Sequence, residues 1–170
     1  MTLRIAINGF GRIGRNIIRA HYQTKKHVDL EFIAINDLGD TAANAHLLKY
    51  DSAYGPMNQK ISSDSDHIQI GEDKIVVLNE KDPSKLPWKE LKIDIVFECT
   101  GIFANRNGAE QHIASGAKKV LISAPAGADI DATIVYGVNE NILIPSHKIV
   151  SNASCTTNCL APLVKPLAKQ

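Results

Sequence analysis

The sequence has few of the features that mark secreted, membrane or nucleic-acid-binding proteins. Only three of its 170 residues are cysteines, an odd number that argues against a secreted disulfide scaffold. No apolar run approaches the roughly 18 residues of a membrane span, and the run at residues 5–7 is too short for a signal-peptide core. The 19 basic and 18 acidic residues nearly cancel. We therefore expect a cytoplasmic protein with neither nucleic acid nor a membrane as a main partner.

What the sequence contains is an alternation of short apolar runs and helical patterns. Leu3–Asn8 is an apolar run, and residues 12–22 then carry apolar side chains at roughly helical spacing. A second apolar run, Leu30–Asn36, is followed by Asp40, whose carboxylate can cap the next helix. This amino-terminal stretch therefore predicts a β-α-β unit.

The pattern changes between residues 50 and 91. HIQI, GED and KIVVL read as two strands around a turn, which predicts a β-hairpin inserted between the two halves of a sheet. Alternation then resumes, with predicted strands at 93–99, 119–123, 133–136 and 148–152 and a predicted helix at 105–115. Apolar strands that alternate with helices predict an α/β fold with a doubly wound, mostly parallel sheet.

A glycine-rich turn joins the first predicted strand to the first predicted helix. Residues 9–14 read GFGRIG, which matches G-x-G-x-x-G. In this motif Gly9 allows a tight turn, Gly11 lets a pyrophosphate approach the backbone, and Gly14 lets the helix pack close to the strand. The helix amino terminus then faces the anion with free amide hydrogens. The hexapeptide alone is also compatible with a purely packing role.

Asp37 supports the dinucleotide interpretation, because it ends the second predicted strand 23 residues beyond Gly14. A carboxylate at this place accepts hydrogen bonds from ribose hydroxyls and repels a 2′-phosphate, so we expect NAD rather than NADP. The alternative role of Asp37 is that of a helix cap or a turn residue, although Asp40 competes for the cap. The glycine turn and the acid together predict a Rossmann-type domain.

Cys155 lies within the segment SNASCTTNCLAP, at residues 151–162. The alternative to a reactive thiol is a small buried apolar residue, the commonest fate of a free cysteine. The polar neighbours and the position between a predicted strand and a predicted helix favour a thiolate stabilised at a helix amino terminus. We therefore expect Cys155 to be a nucleophile.

The other thiols and the histidines indicate no metal site. Cys159 lies one helical turn beyond Cys155, where packing is the expected role, and Cys99 is expected in the core. A metal-binding role for Cys155 and Cys159 would need a second Cys/His pair with ligand spacing, and the sequence has none. His147 precedes the last predicted strand and is expected at the opposite end of the sheet from Cys155.

A dinucleotide site and a thiolate on one sheet suggest aldehyde oxidation. Hydride does not leave a planar aldehyde carbon readily, but a thiolate converts that carbon to a tetrahedral thiohemiacetal that can release it. The product is a thioester, whose energy is kept if phosphate attacks it.

Several segments then resemble one enzyme family in order along essentially the whole chain. They are INGFGRIGR (7–15), AIND (34–37), KYDS (49–52), ECTG (98–101), GAKKVLISAP (116–125), VYGVN (135–139) and SNASCTTNCLAP. These segments closely resemble phosphorylating glyceraldehyde-3-phosphate dehydrogenases. The resemblance implies glycolytic oxidation of glyceraldehyde 3-phosphate with NAD and inorganic phosphate, by a homotetramer.

The resemblance also implies roles for individual residues. The implied cofactor-binding residues are Gly9, Gly11, Arg12, Ile13, Gly14, Asp37, Lys81, Thr100 and Ser123. Lys81 stands where the family often has an arginine near the adenine, and lysine lacks the planar group that stacks there. Cys155 matches the nucleophile, whereas Ser154 and Thr156 match residues that help bind phosphate and substrate. Asn158 is expected to organise the loop.

We expect residues 1–154 to form the dinucleotide-binding domain and residues 155–170 to be the first helix of a catalytic domain whose remainder is absent from this chain. The family's activating histidine, substrate-phosphate arginine and nicotinamide-side asparagine belong to that remainder. Little or no turnover by the 170-residue chain alone is therefore expected.

Alternative functions remain open at this point. Erythrose-4-phosphate dehydrogenases resemble the sequence in both motifs, although the tripeptide Ser123-Ala124-Pro125 favours the glyceraldehyde enzyme. Relative rates on the two sugar phosphates distinguish them. A dinucleotide-binding module without chemistry predicts ordinary reactivity of Cys155. A cysteine hydrolase needs an orienting histidine and leaves the glycine turn unexplained.

Overall fold

The computed structural model describes residues 2–24 and 29–168. The helices are Arg12–Thr24 (α1), Thr41–Lys49 (α2), Arg106–Ala114 (α3) and Cys155–Leu167 (α4), with short 3-10 turns at Pro83–Lys85 and Glu140–Ile142. The strands are Leu3–Asn8 (β1), Leu30–Asn36 (β2), Tyr50–Asp51 (β3), Gly55–Pro56 (β4), Ile61–Ser63 (β5), His67–Ile70 (β6), Asp73–Leu78 (β7), Ile95–Glu98 (β8), Lys119–Ile122 (β9), Ala132–Thr133 (β10) and Ile149–Ser151 (β11).

Nine of the strands in the described ranges form one sheet, in the order β10-β11-β9-β8-β1-β2-β7-β6-β5. Seven of them, from β10 to β7, pair in parallel. The strand order reverses between β1 and β8. The chain continues from β1 to β2 on one side of β1, whereas the later strand β8 pairs with β1 on its other side. Ligands of such sheets bind beyond the carboxyl ends of the strands at this reversal point. The predicted Rossmann-type α/β fold is confirmed.

The predicted hairpin also forms. Strands β6 and β7 pair antiparallel around a turn at Gly71, whose φ of 60° suits glycine. Strand β7 pairs with β2 as well, in parallel, so the hairpin extends the sheet at one edge. The short strands β3 and β4 form a separate two-stranded sheet.

The core covers both faces of the sheet, as the alternation along β1 requires. Ile5 and Ile7 belong to a buried cluster that includes Ile18 of α1 and Leu48 of α2. The residue between them, Ala6, belongs to a second cluster with Trp88 on the opposite face. The doubly wound arrangement thus places α1 and α2 on one face and the segment around Trp88 on the other.

The predicted helix limits agree with the structure to within a few residues. Asp40 caps α2 by accepting a hydrogen bond from the Ala43 amide at 2.9 Å. The predicted strand at 133–136 is shorter, since β10 ends at Thr133. Beyond it, the side chain of Asn139 accepts a hydrogen bond from the Val135 amide at 2.7 Å and donates to the Thr133 carbonyl at 3.0 Å, which stabilises a turn in place of further strand.

Helix α4 presents apolar side chains to the surface. The exposed residues are Leu160, Leu163, Val164 and Leu167. None of the helices within the described ranges is long and apolar enough to cross a membrane.

Candidate cofactor cleft and thiol site

The three glycines of the 9–14 turn occupy different environments. Gly9 has a φ of 90°, and a Cβ there would lie 2.7 Å from the Thr100 amide nitrogen. A Cβ on Gly14 would lie 2.4 Å from the Gly9 carbonyl oxygen. Both glycines are therefore needed for close packing. Gly11 differs, because no heavy atom lies within 4 Å of the place its Cβ would occupy. The start of α1 is consequently open at Gly11.

A cleft of about 520 Å³ lies beyond the carboxyl ends of the central strands. Five of the predicted cofactor-binding residues line it, namely Gly9, Gly11, Asp37, Lys81 and Thr100. The cleft lies at the reversal of strand order between β1 and β8. It is also open to the amino terminus of α1, which favours an anionic ligand.

Asp37 connects the end of β2 to the glycine turn. Its Oδ2 accepts a hydrogen bond from the Phe10 amide at 2.8 Å. Its Oδ1 accepts from the Gly39 amide at 2.8 Å and from the Asn44 side chain at 3.2 Å. A carboxylate has about four acceptor positions, so Oδ2 keeps room for one further donor. Asp37 therefore fills the turn role and retains acceptor capacity for a ribose hydroxyl.

A second cleft, of about 580 Å³, contains Ile13, Ser123, Ser154 and Cys155. Its other walls come from the sheet face and the segment between β11 and α4. Helix α1 contributes to this cleft through Ile13, whereas the preceding turn contributes Gly11 to the first cleft. The predicted cofactor residues are thus divided between two clefts at the same edge of the sheet.

Three of the predicted residues line neither cleft, namely Arg12, Gly14 and Thr156. Arg12 is exposed, and its guanidinium lies 3.7 Å from the carboxylate of Asp51. Thr156 is exposed beside Cys155 but does not line the second cleft.

Cys155 is the first residue of α4 and is exposed. Ser154 caps the helix by accepting a hydrogen bond from the Thr157 amide at 2.9 Å. The first amides of a helix have no intrahelical partner and carry partial positive charge, which stabilises a thiolate. Within the described residues Cys155 is therefore not a buried packing residue.

The backbone before Cys155 has a strained conformation that the sequence pattern did not indicate. Ala153 has a φ of 57°, a left-handed conformation that disfavours residues with a side chain. Its amide donates to the Ser151 hydroxyl at 3.0 Å, and that hydroxyl donates to the Ala124 carbonyl at 2.6 Å. Asn158 donates to the carbonyls of Asn152 and Ser154. These contacts direct the chain from β11 into α4.

The other two cysteines have different environments. Cys159 is exposed on α4, so within the described residues it does not have the packing role that we expected. Cys99 is half-buried against the core, and its desolvation raises the pKa of the thiol to about 11. Cys99 is therefore protonated near neutral pH, unlike the thiolate expected at a helix amino terminus.

A buried polar network lies beneath the first cleft, and the sequence analysis did not identify it. Glu98 at the end of β8 is 1% exposed and His112 of α3 is fully buried. Glu98 accepts hydrogen bonds from His112 at 2.9 Å, from the Asn8 side chain at 2.7 Å and from both the amide and hydroxyl of Thr100. The only signal in the sequence is a charged residue at the end of an otherwise apolar strand.

Burial alone would raise the pKa of Glu98. The hydrogen bonds from His112, Asn8 and Thr100 outweigh this effect and hold the pKa below the ordinary value of a glutamate. Glu98 is therefore a buried carboxylate at neutral pH.

Two other features lie away from both clefts. Asp64, Asp66 and His67 have ligand atoms within 4.8 Å of one another, but the two aspartates are exposed and already paired with the histidine ring. His147 lies near the start of β9, since its carbonyl accepts a hydrogen bond from Lys119. His147 is thus at the opposite end of the sheet from Cys155, as predicted.

Comparisons with known proteins support an NAD-binding domain. Residues 3–106 match the family model described as glyceraldehyde 3-phosphate dehydrogenase, NAD binding domain. Two relatives are the plasmid and the chromosomal glyceraldehyde-3-phosphate dehydrogenases of Cupriavidus necator. This chain is 56% identical to each over 167 residues, which is 98% of this chain and 50% of each relative. The chain thus spans about half the length of these curated relatives.

Proposed function

Since this chain belongs to the glyceraldehyde-3-phosphate dehydrogenase family and carries its NAD-binding domain, we propose that it acts in the oxidation of glyceraldehyde 3-phosphate to 1,3-bisphosphoglycerate. In this proposal Cys155 is the nucleophile, and inorganic phosphate is the second substrate. The function is that of a glycolytic enzyme, which we expect to act in the cytoplasm as a homotetramer.

The observation that carries the proposal is the position of the Cys155 thiol. It is exposed at the start of α4, in a cleft that also contains Ile13 of α1. The glycine turn follows β1 and Cys155 follows β11, and both strands run in the same direction in one sheet. Both groups are therefore at the carboxyl edge, where this fold binds its ligands.

The residues of the first cleft fit a dinucleotide. The open space at Gly11 leaves room for the pyrophosphate, with the backbone of Arg12 and Ile13 next to it. The free acceptor position on Asp37 suits an adenosine ribose hydroxyl. The exposed Lys81 provides a cation at the cleft wall without the stacking surface of an arginine. When bound, NAD accepts a hydride at its nicotinamide ring.

The chemical steps proceed on Cys155. Its thiolate sulfur adds to the aldehyde carbon, and the carbonyl oxygen receives a proton, which gives a tetrahedral thiohemiacetal. Loss of hydride from that carbon and of the hydroxyl proton leaves a thioester. A phosphate oxygen then attacks the thioester carbon, the carbon–sulfur bond breaks, and the thiolate is restored with the acyl phosphate as product.

The helix terminus serves both the thiol and the anions. Cys155 is the first residue of α4, so its sulfur lies near the free amides that also favour binding of a phosphate. The Ser154 hydroxyl is engaged in capping through Thr157, whereas the exposed Thr156 hydroxyl is free to contact substrate. Ser154 thus acts by holding the helix start, and Thr156 by direct contact.

The rate of iodoacetamide labelling near neutral pH tests the proposed nucleophile. We expect Cys155 to react faster than a cysteine in an unstructured peptide, because it is exposed at a helix amino terminus, where reactive cysteines are found. Cys159→Ser should leave the fast labelling intact, and Cys155→Ser should abolish it. Labelling of Cys155 at the rate of the peptide thiol would contradict the proposal and favour a binding module without chemistry.

A further inference from the structure

The buried network beneath the first cleft has a defined proton arrangement. Trp88 donates its indole hydrogen to Nδ1 of His112 over 3.0 Å. Because an indole nitrogen can only donate, His112 Nδ1 must be the unprotonated acceptor. The ring proton therefore lies on Nε2, which is 2.9 Å from a Glu98 oxygen. His112 is neutral in a single tautomer, and Glu98 must be the acceptor.

Glu98 uses all of its acceptor capacity toward groups that shape the cleft. One oxygen accepts from His112 and from the Asn8 side chain, and the other accepts from the amide and hydroxyl of Thr100. The Thr100 hydroxyl in turn accepts from the Ile102 amide at 3.0 Å. The turn after β8 is therefore held by the carboxylate, and the Thr100 hydroxyl has one orientation.

The network continues across the sheet to the opposite wall of the cleft. The side-chain oxygen of Asn8 accepts a hydrogen bond from the side-chain amide of Asn36 at 2.7 Å. The side chain of Asn36 also bonds both backbone groups of Glu80, at 2.8 and 2.9 Å. Glu80 immediately precedes Lys81, and both line the cleft. One chain of hydrogen bonds thus joins Thr100 on one wall to residues 80–81 on the other.

The direction of this chain depends on the charge of Glu98. Asn8 points its donor at Glu98 and its acceptor at Asn36. If Glu98 presented a donor instead, Asn8 would have to rotate its amide, and its donor would then face the donor of Asn36. A change at Glu98 is therefore passed on to the far wall.

We infer that Glu98 and His112 are positioning residues of the NAD cleft, which set the separation of its two walls and the orientation of Thr100 for the dinucleotide. The inference rests on the NAD-binding domain of this chain and is independent of the chemistry proposed for Cys155. Neither residue needs to touch the cofactor, since His112 is fully buried and Glu98 nearly so.

Isothermal titration with NAD on the full chain tests the inference, with the melting temperature measured alongside. We expect Glu98→Gln to weaken NAD binding about tenfold or more. A double-mutant cycle with Thr100→Val should be non-additive, because part of the Glu98 effect passes through Thr100. The double variant should bind NAD within about threefold of Glu98→Gln alone. NAD affinity within about twofold of the original for folded Glu98→Gln, or full additivity, would overturn the inference.

Trp88→Phe tests the same inference without altering any group at the cleft, and it decides the matter if Glu98→Gln does not fold. The variant removes the donor that sets the His112 tautomer, so we expect NAD binding to weaken about threefold or more. Ile93→Val is the matched control, because Ile93 lies in the same buried cluster as Trp88 and makes no side-chain hydrogen bond. This control should lower the melting temperature and leave NAD affinity unchanged. Equal NAD affinity for Trp88→Phe and Ile93→Val would show a purely structural role.

Discussion

Replacement of Gly11 by alanine should separate cofactor binding from folding in this chain. Alanine substitutions at the three glycines of the turn should have different outcomes, because the added methyl group would have different surroundings at each position. For Gly14 the methyl carbon would lie 2.4 Å from a carbonyl oxygen, whereas for Gly11 no heavy atom lies within 4 Å. Gly14→Ala is therefore the matched control for Gly11→Ala.

The expected effect on stability follows from these distances. Gly11 does not have a positive φ, so alanine adopts its backbone conformation without the strain of the left-handed region. Loss of glycine flexibility in the unfolded chain then stabilises the variant by about 0.4–1 kcal/mol. Gly14→Ala must instead displace α1 from β1, and overpacking of this kind costs about 1–3 kcal/mol.

Gly11→Ala is expected to weaken NAD binding although it stabilises the fold. The methyl group of Gly11→Ala would occupy the open space at the start of α1, where the pyrophosphate approaches the backbone. A hydrogen bond to a charged group contributes about 1.5–3 kcal/mol, so the loss of one such bond weakens binding about tenfold to a hundredfold.

Thermal unfolding and isothermal titration with NAD on the same preparations measure both quantities. Gly11→Ala should unfold at or slightly above the original temperature and bind NAD about tenfold more weakly or worse. Gly14→Ala should unfold at a lower temperature. Unchanged NAD affinity in Gly11→Ala would refute the assignment of the first cleft as the pyrophosphate site.

Three further predictions address the acid at the ribose, the buried carboxylate and the activity of the chain. Asp37→Asn should weaken NAD binding and bring the NAD and NADP dissociation constants closer together, since the charge that repels a 2′-phosphate is removed. Equal affinity of the unmodified chain for NAD and NADP would contradict this role of Asp37. The pKa of Glu98 is lowered in the folded state, so its stabilisation is present above the unfolded-state pKa of about 4.3 and is lost as pH falls through the folded-state pKa. Glu98→Gln should therefore make the melting temperature depend less on pH in the acidic range. Glu110→Gln is the control, because Glu110 is exposed. An unchanged acidic pH dependence in Glu98→Gln would contradict this reasoning. The 170-residue chain alone should reduce little or no NAD with glyceraldehyde 3-phosphate and phosphate, and robust turnover would disprove this expectation.

Local signals in the sequence determined much of the fold. Short apolar runs predicted β1 and β2, and the cap Asp40 marked the start of α2. The placement of Cys155 at a helix start was also predictable, because a strand, a small polar segment and a helical pattern follow one another in the sequence. These features depend on residues that are close in the chain, so their physical causes are visible in the sequence itself.

The tertiary structure alone decided which residues share a cleft. Ile13 and Ser123 lie with Cys155, whereas Asp37 and Thr100 lie in the other cleft. Apart from Cys155, the family resemblance assigns all four of these residues to cofactor binding. The sequence does not show which of them lie next to one another in the folded chain.

The buried network was likewise decided by the tertiary structure. Asn8 and Glu98 are 90 residues apart, and their contact exists only because β1 pairs with β8. The left-handed conformation of Ala153 also has no sequence signal, since alanine does not favour it and the surrounding hydrogen bonds impose it. Sequence patterns report local preference and periodicity, whereas the hydrogen-bond partner of a buried polar group depends on which strands become neighbours.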